Sequence, residues 1–279
     1  MFEIFVDSAA NIPAELVKKF KIKVLSFVNL VNGKEVTCFD PNLTPEEERQ
    51  KGKDYYDMIR TGADIKTGLI SSGVFEDAFR EALEADKDVL YFSLSKNISG
   101  NYNSARIAAE DLMESGNYTR KIRMIDSLNA SLAQGILAIY ASEMREKGMA
   151  FDEVADILET CPAKMNGVFT VGDLKYLART GRLSGTAAVI GNVLSIKPIL
   201  RGNRVRHAVF IQRFAKRLGQ VAHLLKVRAL MQPRKHLPGA EGGLAQLFEI
   251  NRQLVRRHAQ QLRLIHPAHH AFTLRMRQT

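Results

Sequence analysis

The chain has 279 residues, of which 46% are hydrophobic and 25% are charged. These values are typical of a globular protein with room for two domains, and they exclude a disordered, collagen-like or coiled-coil chain. The net charge of +10 does not indicate a nucleic-acid partner, because residues 1–200 carry a net −4 and the excess of Lys and Arg lies in residues 201–279.

Strand-like runs alternate with helical patterns over the first 160 residues. The predicted strands are Phe2 to Val6, Ile22 to Val31, Lys34 to Phe39, Val89 to Phe92 and Ile122 to Ile125. The predicted helices are residues 74–83, Tyr102 to Met113, Ala130 to Met144 and Phe151 to Leu158. This alternation predicts an α/β fold, a layered domain with a mostly parallel sheet.

Several turn and cap signals punctuate this pattern. Asn32-Gly33 predicts a type I′ turn between two strands. Asn11 is suited to cap a helix whose first turn contains Pro13. Residues 41–52 read as a polar loop, within which residues 44–47 resemble the start of a helix.

A second α/β domain is predicted after Cys161-Pro162, so that residues 1–160 and 161–279 form two domains. A strand is expected over Val168 to Val171, and Asp173 can cap a helix over Leu174 to Ala178. A basic turn with Arg179 and Arg182 follows this helix.

Three loops place small polar residues where the strands of such a sheet end or a helix begins: residues 93–104, 126–131 and 67–73. Ligands of α/β sheets bind at this edge, and a hydroxyl beside a helix N-terminus can hold a carboxylate or a phosphate. The alternative is that these residues are ordinary helix caps.

Signals of enzyme chemistry are sparse. Residues 1–200 contain no histidine, which excludes a Ser-His-Asp or Cys-His pair there, and the chain has no GxxxxGK[ST], GxGxxG or HExxH motif. Cys38 and Cys161 are far apart and suggest neither a disulfide framework nor a metal site. Asp7 and Asp126, each followed by serine, could activate a hydroxyl or stabilise a turn.

No targeting or membrane segment is predicted. The start of the chain lacks a basic region followed by an apolar stretch. The longest apolar stretch, residues 186–200, contains Lys197 and Pro198 and is shorter than the roughly 20 residues of a membrane span. We therefore expect a soluble cytoplasmic protein.

A set of ordered segments along the chain matches a known family: Val6-Asp7-Ser8 with Ile12-Pro13, Lys66-Thr67, Ile98 to Ala105, Ile125-Asp126-Ser127, Asp173 to Leu177 with Gly181 to Ser184, and Ile196 to Leu200. Through these segments, residues 2–200 resemble the DegV family, the fatty-acid-binding carrier subunits of bacterial fatty acid kinase.

The resemblance implies a two-domain protein without catalytic residues, cofactor or metal, which holds a long-chain fatty acid in a tunnel between its domains. Thr67 and Ser99 match the family's carboxylate-binding threonine and serine, and Gly100 and Asn101 belong to the same loop. Asn101 departs from the family's usual threonine. The implied partner is a kinase that phosphorylates the carboxylate of the bound fatty acid.

The same resemblance implies roles for two serines and for a pair of arginines. Ser127 and Ser131 are expected to line the tunnel. The turn with Arg179 and Arg182 is similar to the surface that meets the kinase. The competing hypothesis, from the residues alone, is a small anion-binding hydrolase or phosphotransferase that uses Asp7 or Asp126.

The tail, residues 203–279, does not match the family. Residues 201–279 contain all seven histidines, no aspartate and 13 Arg against 3 Lys. Residue types whose codons can begin with C make up 42 of these 79 residues, against 34 of the first 200. A frameshift or fusion would explain this change, so the C-terminal α/β domain is expected to be incomplete or replaced. The tail carries no recognised nucleic-acid-binding motif, and no nucleic-acid partner is expected.

Overall fold

A computed structural model describes residues 1–165, 167–170, 199–202 and 208–212. The strands are β1 Phe2–Asp7, β2 Ile22–Leu25, β3 Val28–Val31, β4 Lys34–Thr37, β5 Ile65–Gly68, β6 Asp88–Ser93, β7 Ile122–Asp126, β8 Val168–Thr170, β9 Ile199–Gly202 and β10 Ala208–Gln212. The helices are α1 Ala14–Lys19, α2 Pro45–Arg60, α3 Ser72–Glu84, α4 Asn101–Glu114, α5 Leu132–Glu146 and α6 Phe151–Glu159. Short 3-10 turns occupy Ser8–Ala10 and Pro162–Lys164.

The central layer is a parallel sheet with the strand order β2-β1-β6-β7. One face packs against α3 and α4 through buried aromatic rings, with Phe5 and Phe79 centroids 5.5 Å apart and Phe75 and Tyr91 centroids 5.2 Å apart. Side chains alternate along a strand, so Ile4 and Leu90 point to the opposite face. Helix α5, which packs on β1, β2 and β6, carries a buried apolar surface. The expected α/β architecture is confirmed.

A smaller antiparallel sheet has the order β4-β3-β5. Asn32 and Gly33 join β3 to β4 with φ values of 51° and 78°, the two positive values that a type I′ turn requires. The predicted turn is therefore confirmed. Strand β5 pairs with β3 so that Thr67 lies opposite Asn29. The sequence pattern did not indicate β5.

The prediction of one strand over Ile22 to Val31 is wrong. The chain leaves the parallel sheet after Leu25 and re-enters as β3 of the antiparallel sheet. Between the two strands, the Phe27 N–H donates to the Ser8 hydroxyl oxygen at 3.1 Å instead of to a neighbouring strand. An apolar run gives no sign of this change of sheet, because both halves have a half-buried strand pattern.

The prediction that Asn11 caps a helix is also wrong. Asn11 closes the preceding 3-10 turn in a left-handed conformation with φ 50°, and α1 begins at Ala14 after Pro13 at the cap position. The helix start near Thr44 is confirmed, because Thr44 and Glu47 form a reciprocal capping box. The polar-loop prediction fails from Pro45 onward, where α2 begins, and α2 has no buried residue.

A third sheet, antiparallel with the order β10-β9-β8, contains the strand expected near Val168. Asp173, the helix over Leu174 to Ala178, Arg179, Arg182 and most of the tail lie outside the described residues. The domain boundary after residue 160 stays a prediction.

The carboxyl group of Asp7, at the end of β1, is fully buried and joins three segments. One oxygen accepts the Ala9 N–H at 3.1 Å, and the other accepts the Leu94 N–H at 2.8 Å and the Tyr91 hydroxyl at 3.0 Å. Burial raises the pKa of this carboxyl above its ordinary value, although the donated hydrogen bonds oppose the shift. Asp7 thereby fixes the loop after β6 relative to the end of β1.

Replacing Gly135 in α5 should destabilise the protein. A Cβ at this position would lie 2.8 Å from Ile12 Cγ1 and 3.1 Å from the Ala10 carbonyl oxygen. We expect Gly135→Ala to lower the free energy of unfolding by about 1–3 kcal/mol, the usual cost of overpacking. The control is Gly52→Ala in α2. A Cβ there would meet no atom within 4 Å apart from its chain neighbours and its own helix backbone, so alanine should raise stability by about 0.4–1 kcal/mol. Urea unfolding measures both, and equal effects would contradict the close contact at Gly135.

The raised pKa of Asp7 predicts the sign of a pH effect. The folded state favours the protonated carboxyl, so its stabilising contribution is present below the unfolded pKa and is lost as the pH rises through the folded pKa. The unfolding free energy of the wild type minus that of Asp7→Asn should therefore be larger at pH 4 than at pH 7.

Asp86→Asn is the matched control for this pH effect. Hydrogen bonds from Arg120 lower the pKa of the Asp86 carboxyl, so its contribution is present above the unfolded pKa and is lost as the pH falls. The difference between wild type and Asp86→Asn should change with pH in the opposite direction. Differences of the same sign for both aspartates would contradict the assignment.

Candidate functional site

The carboxyl ends of β1, β6 and β7 lie side by side, because the three strands are parallel neighbours in the sheet. The loop after β6 leads into α4 and the loop after β7 leads into α5. All three predicted loops reach this region, which is where α/β sheets bind ligands.

Ser99 lies in the loop before α4, and its hydroxyl oxygen accepts the Asn101 N–H at 3.2 Å. The hydroxyl acts there as an acceptor, so its own hydrogen stays available for another acceptor. Gly100 occupies the N-cap position of the 14-residue helix α4 without any side-chain capping bond. An anion beside Ser99 would therefore lie at the positive end of a helix dipole.

Thr67 lies in β5 with its side chain exposed. Two contacts join its segment to the Ser99 loop. The buried Ile70 N–H donates to Asn101 Oδ1 at 3.2 Å. A Cβ on Gly100 would lie 2.9 Å from Leu69 Cδ1, so only glycine allows this approach without a shift of Leu69. The structure thus brings together the two segments that carry Thr67 and Ser99.

Ser127 is fully buried and builds the turn after β7. Its hydroxyl donates to the Asn129 carbonyl at 2.9 Å and accepts the Asn129 N–H at 3.2 Å. The hydroxyl thus uses both its donor and an acceptor position within the turn. Its expected contact with a ligand stays a prediction.

Ser131 precedes α5 with φ 57° and ψ −139°, a conformation rare for a residue with a side chain. Its hydroxyl oxygen accepts Asn11 Nδ2 at 3.0 Å and makes no capping bond to α5. The sequence did not indicate this link between Asn11 and Ser131. The positive φ of both residues could have been suspected only for Asn11, because asparagine tolerates that conformation.

Asp7 and Asp126, the residues of the competing hypothesis, both stabilise turns. The contacts of Asp7 are those described above. Asp126 Oδ1 accepts the Leu128 N–H at 2.9 Å and the Lys96 N–H at 3.3 Å, and Lys96 Nζ lies 3.9 Å from Oδ2. These bonds favour the turn-stabilising interpretation over activation of a hydroxyl.

A cavity of about 230 Å³ opens beside the end of β1. Its wall contains both apolar and polar groups; the lining residues are Val6, Asp7, Ser8, Ala10, Asn11, Ile12, Pro13, Val24, Cys38, Phe39 and Glu48. Its volume is below the roughly 300–1,000 Å³ of small-molecule sites. It can therefore take only a part of a long ligand.

Buried Gln134 is a residue that the sequence analysis did not single out. Its Nε2 donates to the Phe92 carbonyl at 3.0 Å and so ties α5 to the end of β6. The sequence signal for it is a polar residue among apolar ones in α5.

In the described part of the chain, no helix is long and apolar enough to cross a membrane, and no group of three or more His, Cys, Asp or Glu side chains could hold a metal ion.

The chain is similar to known proteins over most of its length. A family model described as an uncharacterised protein of the DegV family matches residues 1–269, so the prediction that the tail does not match the family is wrong for residues 203–269. A DegV domain-containing protein of Clostridium perfringens is 38% identical over 221 residues, 78% of this chain and 72% of that protein. One of Clostridium acetobutylicum is 33% identical over 199 residues, 71% of this chain and 67% of that protein.

Two solved structures share the fold. A DegV family protein from Thermus thermophilus, described for its fatty acid binding, has a TM-score of 0.66 and 28% identity over 84% of this chain and 79% of that one. A stearic acid-binding protein from Eubacterium ventriosum has a TM-score of 0.68 and 25% identity over 82% of this chain and 75% of that one. With this α/β fold, the match of the family model and the identity to the clostridial relative, the chain belongs to the DegV family.

Proposed function

We propose that the protein is a carrier that binds a long-chain fatty acid and presents its carboxylate to a partner kinase. The observation that carries the proposal is the junction of the Thr67 and Ser99 segments at the N-terminus of α4. The structural relatives described as binding fatty acids, one of them stearic acid, support the choice of ligand.

The carboxylate end of the ligand is assigned to Thr67 and Ser99. A carboxylate that leaves water must receive hydrogen bonds, and two hydroxyl donors at a helix N-terminus can supply them. The Ser99 hydroxyl suits this role because its oxygen already accepts the Asn101 N–H and its hydrogen remains to be donated. Gly100 and Asn101 shape the loop, and Ser127 and Ser131 stand at the next helix start.

The acyl chain supplies most of the affinity in this proposal, since each buried CH₂ contributes about 0.8 kcal/mol. The cavity of about 230 Å³ beside β1 can take only part of such a chain. We therefore propose that residues 161–279 contribute the remaining wall of a tunnel between two domains. A replaced tail would leave that wall incomplete.

The carrier itself performs no chemistry in this scheme. The partner kinase directs a carboxylate oxygen of the bound fatty acid to the γ-phosphorus of ATP. The new P–O bond forms as the bond to the β-phosphate oxygen breaks, which releases ADP and leaves an acyl phosphate. The basic turn with Arg179 and Arg182 is proposed as the surface that meets the kinase.

Loss of the Ser99 hydroxyl should weaken fatty acid binding. The protein is extracted with organic solvent, its lipid is identified by mass spectrometry, and stearic acid is titrated into delipidated protein. A hydrogen bond to a charged group contributes about 1.5–3 kcal/mol, so Ser99→Ala should raise Kd roughly tenfold to a hundredfold.

Ser115→Ala is the matched control for this titration. Ser115 lies at the other end of α4, donates to the Leu112 carbonyl and accepts the Asn117 N–H, so its loss removes comparable local bonds far from the site. It should leave Kd unchanged. A wild-type protein that carries no lipid and hydrolyses phosphate esters would overturn the carrier proposal, and an unchanged Kd in Ser99→Ala would overturn the site assignment.

Charge reversal in the basic turn should separate kinase contact from lipid binding. With a fatty acid kinase subunit and ATP, Arg179→Glu and Arg182→Glu should each lower acyl phosphate formation at least tenfold while the bound fatty acid is retained. The control is Arg60→Glu at the exposed end of α2, which should leave both acyl phosphate formation and the bound fatty acid unchanged. Full acyl phosphate formation by both turn variants would show that the kinase binds elsewhere.

A further inference from the structure

We infer that Asn101 is the positioning residue of the head-group site, and that it sets the preference for a carboxylate over a neutral head group. This inference rests on the proposed function and deepens it. Asn101 is the one described residue whose hydrogen bonds reach both segments that carry the assigned hydroxyls, through its side chain in one direction and its backbone in the other.

The side chain of Asn101 holds the segment of Thr67. Asn101 is fully buried, and its Oδ1 accepts the buried Ile70 N–H at 3.2 Å. The backbone N–H of Ile70 can only donate, so the amide oxygen of Asn101 must face it and the orientation of the amide group is fixed. An apolar side chain at this position would leave the Ile70 N–H buried without an acceptor.

The backbone of Asn101 holds the hydroxyl of Ser99. Its N–H donates to Ser99 Oγ at 3.2 Å, which directs the Ser99 hydrogen away from Asn101. Beside it, Gly100 lets the two segments approach closely, because a Cβ there would lie 2.9 Å from Leu69 Cδ1. One hydrogen bond, from the Ile70 N–H to Asn101 Oδ1, thus joins the two segments, and the second, from the Asn101 N–H to Ser99 Oγ, orients the hydroxyl within its own loop.

The amide nitrogen of Asn101 is the second polar group of this side chain. Nδ2 is buried and has no hydrogen-bond partner among the described residues. With the oxygen fixed on Ile70, the group left over is a donor, and its partial positive charge would stabilise a negatively charged head group more than a neutral one. A carboxylate-selective site is the arrangement that this orientation serves.

The test compares two ligands with the same acyl chain, stearic acid and stearyl alcohol. Asn101→Leu removes the acceptor for Ile70 and should weaken stearic acid binding tenfold or more while stearyl alcohol binding changes less than threefold. Asn101→Asp keeps an acceptor for Ile70 and replaces the donor with a negative charge. Repulsion should then weaken stearic acid binding by more than tenfold with stearyl alcohol again retained.

Asn103→Leu and Asn103→Asp are the matched controls, because Asn103 is exposed on the first turn of the same helix. They should leave the ratio of the two Kd values unchanged. An equal loss of both ligands in Asn101→Asp, or an unchanged ratio in it, overturns the inference even if Asn101→Leu does not fold. A wild-type protein that binds neither ligand instead overturns the proposed function, and the inference with it.

Discussion

A parallel sheet with helices on both faces confines its free polar groups to the ends of its strands, and the groups buried there must find partners within the protein. In the described part of the chain the constraint is met at Asp7, whose buried carboxyl receives hydrogen bonds from Ala9, Tyr91 and Leu94. These bonds fix where the chain leaves β1 and β6. The bond to the Leu94 N–H anchors the first part of the loop that carries Ser99.

The same constraint explains why serine alone is an ambiguous signal at this edge. Ser127 and Ser99 both follow a strand and precede a helix, so the local sequence pattern predicts the same role for both. Ser127 donates and accepts within its own turn, whereas Ser99 accepts from Asn101. Only the second arrangement leaves a hydrogen to donate to a bound carboxylate. The distinction depends on hydrogen-bond directions, which local sequence does not encode.

Local signals in the sequence predicted the elements that local physics determines. Asn32-Gly33 and the capping box of Thr44 and Glu47 act within four residues, and both are found where expected. Strand β5 was missed because Ile65–Gly68 has four residues and its pairing partner β3 is more than 30 residues earlier. The division of Ile22 to Val31 between two sheets likewise involves a residue outside the run, Ser8, whose hydroxyl oxygen accepts the Phe27 N–H. The contact of Ile70 with Asn101 belongs to this second class, so the candidate residues could be named but not their junction.

The proposed use of hydroxyl groups to hold the carboxylate has a chemical reason. A carboxylate that must attack phosphorus loses nucleophilicity when a cation stabilises its charge, whereas neutral donors orient it at a smaller cost. Lys96, the basic residue of the Ser99 loop, lies instead 3.9 Å from the Asp126 carboxylate and over the ring of Tyr102. In the proposed transfer, positive charge is needed where the negative charge of the phosphoryl group develops. In the proposed scheme, Arg179 and Arg182 at the kinase-contacting surface would provide it when the partner is bound.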